Sequence, residues 1–158
     1  MKATFEEKQT FKQIWLWCIL ILLCAIPLYG MYKQLYLNEV FGDQPMSDGG
    51  LIALSLFCIA LAVFIGVIRL ETVIDSVGIR MTFYPFIKKT ITWDEIESLA
   101  VKKYGFVGGW GIRLGTKYGT VYNIKGDTGL AIKLKDGKKF LIGTQKEDEL
   151  EKVIMLIR

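Results

Sequence analysis

Residues 129–143 read GLAIKLKDGKKFLIG. Ile132 and Leu134 alternate with Lys133 and Lys135, and Phe140 and Ile142 resume the alternation after Asp136-Gly137. Apolar residues at a period of two define strands with one buried face. Asp-Gly between two such runs predicts a hairpin with a two-residue type I′ turn, in which both central residues take positive φ. The period then changes. Thr144-Gln145-Lys146-Glu147 has the spacing of a capping box, with Thr144 at the N-cap and Glu147 three positions on. Leu150, Val153, Ile154 and Ile157 follow at i, i+3, i+4 and i+7. They form one apolar stripe of a short helix that packs on a sheet or plugs the end of a barrel.

The same strand period extends upstream. In GIRMTFYPF, Ile79, Met81 and Phe83 share a face opposite Arg80 and Thr82; in KKTITW, Ile91 and Trp93 oppose Thr90 and Thr92. Strands are expected near 70–75, 78–84, 87–93, 97–104, 110–115, 119–124, 129–135 and 138–143, about seven if one pair merges into a single bent strand. Short sequential strands with turn signals, no crossover helix and one terminal helix predict a small antiparallel barrel or sandwich.

Glycine is dense from Gly105 to Gly129 (GFVGGWGIRLGTKYGTVYNIKGDTG). A phosphate loop needs Gly-Lys-Ser/Thr before a helix, and none is present. Gly109-x-Gly111 is followed by Leu114 where a dinucleotide fingerprint needs its third glycine, and strand follows rather than helix. The glycines read as turn residues that supply positive φ. Loops of this kind are also where binding residues often sit.

Before residue 70 the composition is different. Ile14–Tyr32 is an uncharged run of 19 residues, IWLWCILILLCAIPLYGMY. At about 1.5 Å per residue it spans roughly 28 Å, about one hydrocarbon core. Trp15 and Trp17 mark one end, and Tyr29, Tyr32 and Tyr36 the other. Pro27 would break a soluble helix but is tolerated in a membrane helix. Leu51–Ile68 is a second uncharged run, of 18 residues, in which Ala62 and Gly66 form a small-xxx-small pair. A signal peptide fits poorly, since the first run is long for an apolar h-region and Glu6 and Glu7 interrupt a basic leader. The division expected is 1–13 as an N-terminal segment, 14–32 and 51–68 as transmembrane helices, 33–50 as the loop between them, and 69–158 as the second domain. Lys2, Lys8 and Lys12 precede the first helix, and Arg69, Arg80 and Lys88 follow the second, whereas the loop carries only Lys33 beside Glu39, Asp43 and Asp48. The positive-inside rule therefore puts both termini in the cytoplasm and the loop outside, in a multi-pass protein of the cell membrane.

Histidine is absent, which removes the commonest general base and metal ligand. Cys18, Cys24 and Cys58 all lie in the apolar runs, without CxxC spacing, so neither a zinc site nor a disulfide framework is expected. Asp94-Glu95 and Glu147-Asp148-Glu149 are paired carboxylates, but the latter belong to a first helical turn, where acids complement the dipole. No nucleophile motif appears. No cofactor and no enzymatic activity are expected.

Three stretches, VGIRMTFYPFIKKTITWDEIESL, GGWGIR and LAIKLKDGKKFLIGTQKEDEL, together with two preceding membrane helices, resemble the bacterial PH-like (pleckstrin-homology-like) membrane proteins. The resemblance covers roughly Leu70 to Arg158. It implies an α+β chain: a transmembrane hairpin, then a PH-like β-barrel or sandwich of two antiparallel sheets closed at one end by the C-terminal helix. It carries over no catalytic residues.

Residues 70–158 hold 15 Lys and Arg against 11 Asp and Glu, and residues 1–69 hold five of each. The whole net charge of +4 therefore lies on the second domain. Anionic leaflets attract such a surface by about 1 kcal/mol per basic residue close to it. Lys88, Lys89, Lys102, Lys103, Arg113 and Lys117 are the candidate residues for binding a partner or a lipid headgroup. The alternative is that they are solvated charges guarding strand edges. Nucleic acid is not an expected partner, because the charge is mild. The expected function is a non-enzymatic membrane protein whose domain binds a protein or anionic phospholipid headgroups, with homo-oligomerisation open. The competing reading is an accessory subunit of a membrane complex that works through its transmembrane hairpin.

Overall fold

A computed structural model of the protein describes residues 4–157. The chain divides into two compact units, residues 12–67 and residues 1–11 with 68–158.

The helical unit holds α1 (Ile14–Met31), a π-helical turn (Tyr32–Tyr36) and α2 (Asp48–Val67). Both helices are long and apolar enough to cross a membrane. Leu20, Pro27 and Gly30 of α1 and Leu51, Ser55 and Cys58 of α2 are buried between them, at helical spacing. A side chain at Gly30 would collide with Phe41 and Leu51, and Gly66 lies under the Trp17 ring. Small residues thus let the helices approach closely. The Ser55 hydroxyl donates to the Leu51 carbonyl at 2.8 Å, so no polar hydrogen is stranded at the contact.

The second unit is β-rich and has one terminal helix. Its first sheet has the order β1-β2-β3-β4, formed by Phe5–Thr10, Arg69–Ile74, Gly78–Tyr84 and Ile87–Thr92. After a 3₁₀ turn at Trp93–Glu95, the second sheet has the order β5-β8-β9-β7-β6. These strands are β5 (Ile96–Lys103), β6 (Gly111–Thr116), β7 (Gly119–Asn123), β8 (Thr128–Leu134) and β9 (Lys139–Gly143). Helix α3 is Glu147–Ile157. Inward residues of both sheets, among them Leu70, Ile79, Met81, Phe83, Leu130, Ile132 and Ile142, meet in one core, and Leu150, Val153 and Ile154 of α3 close it. Neither sheet closes into a barrel. Nor is the second sheet wholly antiparallel, because β7 runs parallel to β9. The β6–β7 hairpin is inserted between β5 and β8, so the chain reaches β9 from its other side. Close approach is needed there: Gly119 has φ of 80°, and a Cβ on it would strike the Lys139 carbonyl.

Four features depart from the sequence reading. Residues 5–10, placed in a segment outside the domain, form a strand that pairs with β2 from Phe5↔Ile74 to Thr10↔Arg69. Phe5 is 1% exposed and belongs to the core. The eight strand ranges expected from residue 70 onward all appear as separate strands, with none merged. The hairpin turn also differs. Only Gly137 of the Asp-Gly pair takes positive φ, and Ile132 pairs with Phe140 and Lys133 with Lys139. The loop therefore has three residues, 135–137, ending in a left-handed glycine.

The fourth departure is the start of α3. Thr144 Oγ1 accepts the Lys146 N–H at 3.0 Å, but the acid that completes the arrangement is not Glu147. Buried Glu7 of β1 accepts the Thr144 hydroxyl and the Gln145 N–H, each at 2.7 Å. Beside it, Gln9 Nε2 donates to the Gly143 carbonyl at 2.7 Å. The first strand is thereby tied to the last strand and helix. A full capping box does form elsewhere, ahead of the 3₁₀ turn: the Thr92 side chain accepts the Glu95 N–H, and Glu95 Oε2 accepts the Thr92 N–H (2.8 Å) and also the Thr92 hydroxyl (3.0 Å).

Glu7→Ala leaves a buried hydroxyl and a backbone N–H without their charged acceptor and is expected to destabilise the domain by about 3 kcal/mol. Glu6→Ala, on the exposed face of the same strand, should change stability by less than about 0.5 kcal/mol. Thermal unfolding of the full chain in detergent, followed by circular dichroism, compares the two.

Candidate functional site: a lysine groove on the second sheet

The outer face of the second sheet carries a groove of about 290 Å³. Its floor is Ala100 of β5 directly opposite Ala131 of β8. Two methyl groups at the centre keep the floor low, and the longer side chains rise around it. Lys102, Lys117, Lys133 and Lys139 line the groove together with Ser98 and Tyr118. Lys117 comes from the β6–β7 turn, and its Nζ lies 5.0 Å from the centre of the Tyr118 ring. Residues separated by more than 35 positions are thus gathered on one face by the order β5-β8-β9-β7-β6.

The electrostatics are one-sided. Lys133 sits directly opposite Lys139 across the β8–β9 ladder. Like charges in that position destabilise a sheet. One carboxylate offsets the repulsion, Glu97, whose Oε1 lies 2.6 Å from Lys133 Nζ. Lys102, Lys117 and Lys139 have no carboxylate within ion-pair distance among the described residues. The groove therefore presents three ammonium groups without a carboxylate partner among the described residues.

Of the six basic residues singled out from the sequence, only Lys102 and Lys117 belong to this groove. Lys88 is exposed on β4, in the other sheet. Lys89 has a packing role, with its Nζ 4.9 Å from the Phe140 ring centre and 5.6 Å from that of Tyr122. Lys103 pairs with Asp127 at 3.4 Å. Arg113 donates to the Trp110 carbonyl at 2.9 Å. The sequence assigns Lys133 and Lys139 to strands and not to a site. A usable signal was present: Ile132 and Phe140 both face inward, which requires an odd-length loop and places Lys133 against Lys139. Among the described residues no cluster of three or more His, Cys, Asp or Glu side chains is arranged to hold a metal.

No protein-family model matches the chain, and no curated protein matches it.

Lys139→Glu replaces the opposed like pair by an opposite pair. The expected result is a domain more stable by about 0.5–1 kcal/mol, measured as a shift in the thermal midpoint of the full chain in detergent. Unchanged or lower stability would show that the two ammonium groups do not repel.

Proposed function

We propose that the chain is a two-span membrane protein whose cytoplasmic, PH-like domain binds an anionic partner in the lysine groove, without catalysing a reaction. The observation that carries the binding reading is the gathering of Lys102, Lys117, Lys133 and Lys139 around one groove with a single carboxylate among them. A fold under selection for stability alone has no reason to set Lys133 against Lys139. The anion is a phospholipid headgroup or an acidic segment of a protein.

The membrane reading draws support from the first sheet. Residues 5–10 and 69–74 pair along six positions, so they share one compartment. The chain between them must then cross a bilayer an even number of times, and it holds two helices of sufficient length. Removal of the first helix as a signal peptide would also remove β1, and with it Phe5 from the core and Glu7 from the start of α3. The Lys and Arg distribution favours the cytoplasm for both ends. The PH-like reading is supported by two mainly antiparallel sheets around one core and a helix at the C-terminal end of the chain; the inserted β6–β7 hairpin, whose β7 runs parallel to β9, is a departure from it.

Two measurements test this. With the three native cysteines replaced by alanine, Ser47→Cys is expected to react with a membrane-impermeant maleimide in intact cells, and Lys138→Cys only after lysis; the reverse pattern overturns the topology. In nanodiscs, a fluorophore on Lys117→Cys is expected to transfer energy to headgroup-attached acceptors in anionic discs. Salt should weaken the transfer, and neutral discs should not support it. Absence of that difference removes lipid as the anion, and site-specific photocrosslinking from Ser98 then tests for a protein.

A further inference from the structure

The two ends of the first sheet differ in chemistry. At one end β2 turns into β3 through Asp75-Ser76-Val77. The Asp75 carboxylate accepts the Val77 N–H at 2.8 Å and pairs with Arg80 at 2.6 Å. A polar turn of this kind is usual where a sheet ends in water. At the other end β3 turns into β4 through Pro85 and Phe86, flanked by Tyr84 and Ile87. The Phe86 N–H donates to the Phe83 carbonyl at 2.8 Å and closes the turn. None of these four residues is charged, and none is the glycine, asparagine, aspartate or serine that turns in water favour. The Phe86 ring lies 6.2 Å from that of Phe83, yet Phe86 stays 53% exposed and Tyr84 42%. The core therefore leaves about half of each ring uncovered.

Strand register identifies this end. Thr10, the last residue of β1, pairs with Arg69, the first of β2, and Arg69 pairs with Tyr84, the last of β3. Arg69 stands two positions beyond Val67, where α2 ends, and is the first charge after the uncharged run 51–68. In a chain that crosses a bilayer, the first guanidinium after the span stays in the headgroup layer, because hydrocarbon excludes it. That layer is about 5–8 Å thick on each side of the membrane. Arg69 Cζ lies 4.6 Å from the centre of the Tyr84 ring, less than the thickness of the layer. The nearby charges suit phosphate. Lys8 and Arg69 share one carboxylate, Glu71, at 3.4 and 2.9 Å, and Lys88 is exposed two positions past Phe86.

We propose that the β3–β4 turn is an interfacial anchor: Tyr84 and Phe86 enter the headgroup layer of the bilayer that α2 leaves, and Arg69 and Lys88 meet lipid phosphates there. Aromatic rings favour that layer, which takes up their apolar faces while leaving polar edges wet. Lipid is the occupant because it surrounds the end of the span, and a protein would have to displace it. The inference rests on the two-span reading and is independent of the lysine groove.

The test uses the full chain in nanodiscs, with the three native cysteines replaced by alanine and an environment-sensitive fluorophore on Phe86→Cys. The same fluorophore on Val77→Cys, 64% exposed on the polar turn at the opposite end of the sheet, shows what the label does by itself. The label at position 86 is expected to emit to the blue and to be quenched by lipids carrying a nitroxide just below the headgroup. The label at position 77 should emit as in water and escape quenching. Tyr84→Cys, labelled in the same way, should behave as Phe86→Cys does. Uncharged rings carry the contact, so the difference should persist in neutral discs and at high salt. A blue shift that salt abolishes reports attraction of the domain's charge and overturns the anchor. Water-like, unquenched emission at positions 84 and 86, in a chain that resists carbonate extraction from membranes, overturns the anchor and leaves the two-span reading standing. Release of the chain by carbonate overturns both.

Discussion

The second unit depends on the pairing of β1 with β2. These strands are the two ends of a chain that leaves the sheet at Thr10 and returns at Arg69. Closing so long a loop is entropically unfavourable, though the cost rises only slowly with length. What offsets it is specific. Phe5 enters the core, and Glu7 and Gln9 satisfy donors and an acceptor on the segment from Gly143 to Gln145. Each partner lies more than 130 residues away in sequence. The helical unit is therefore an insertion between two neighbouring strands of one sheet.

That arrangement gives the first strand an unusual composition. Its inward positions are Phe5, Glu7 and Gln9, and its outward ones Glu6 and Lys8. The strand period is invisible to any reading that looks for apolar residues facing inward, because two of three inward residues are polar. They are polar because the start of α3 lies beneath them and needs acceptors and donors there. The same cause misdirected the capping box at Thr144. A carboxylate is indeed placed to satisfy that helix start, but it arrives from the far end of the chain.

The lysine groove shows how register converts composition into a site. The charge excess of residues 70–158 is plain in the sequence, but its distribution is not. Lys102 and Lys103 are neighbours in sequence, and only one of them faces the groove. Lys133 and Lys139 meet because the loop between them has three residues; a two-residue loop would put one of them on the opposite face. The inserted β6–β7 hairpin then delivers Lys117 from beyond β9.

The sequence by itself determined what depends on local periodicity. The strand ranges from residue 70 onward and the apolar stripe of α3 follow from spacing at 2 or 3.6 residues, and the two apolar helices from uncharged runs of 19 and 18 residues; each can be read from one contiguous stretch. Tertiary structure decided whatever depends on which distant segments meet: the place of β1, the parallel contact of β7 with β9, the acceptor at the start of α3, and which lysines share a face. These follow from hydrogen-bond satisfaction and strand register across the whole unit, and neither leaves a mark in the residues nearby.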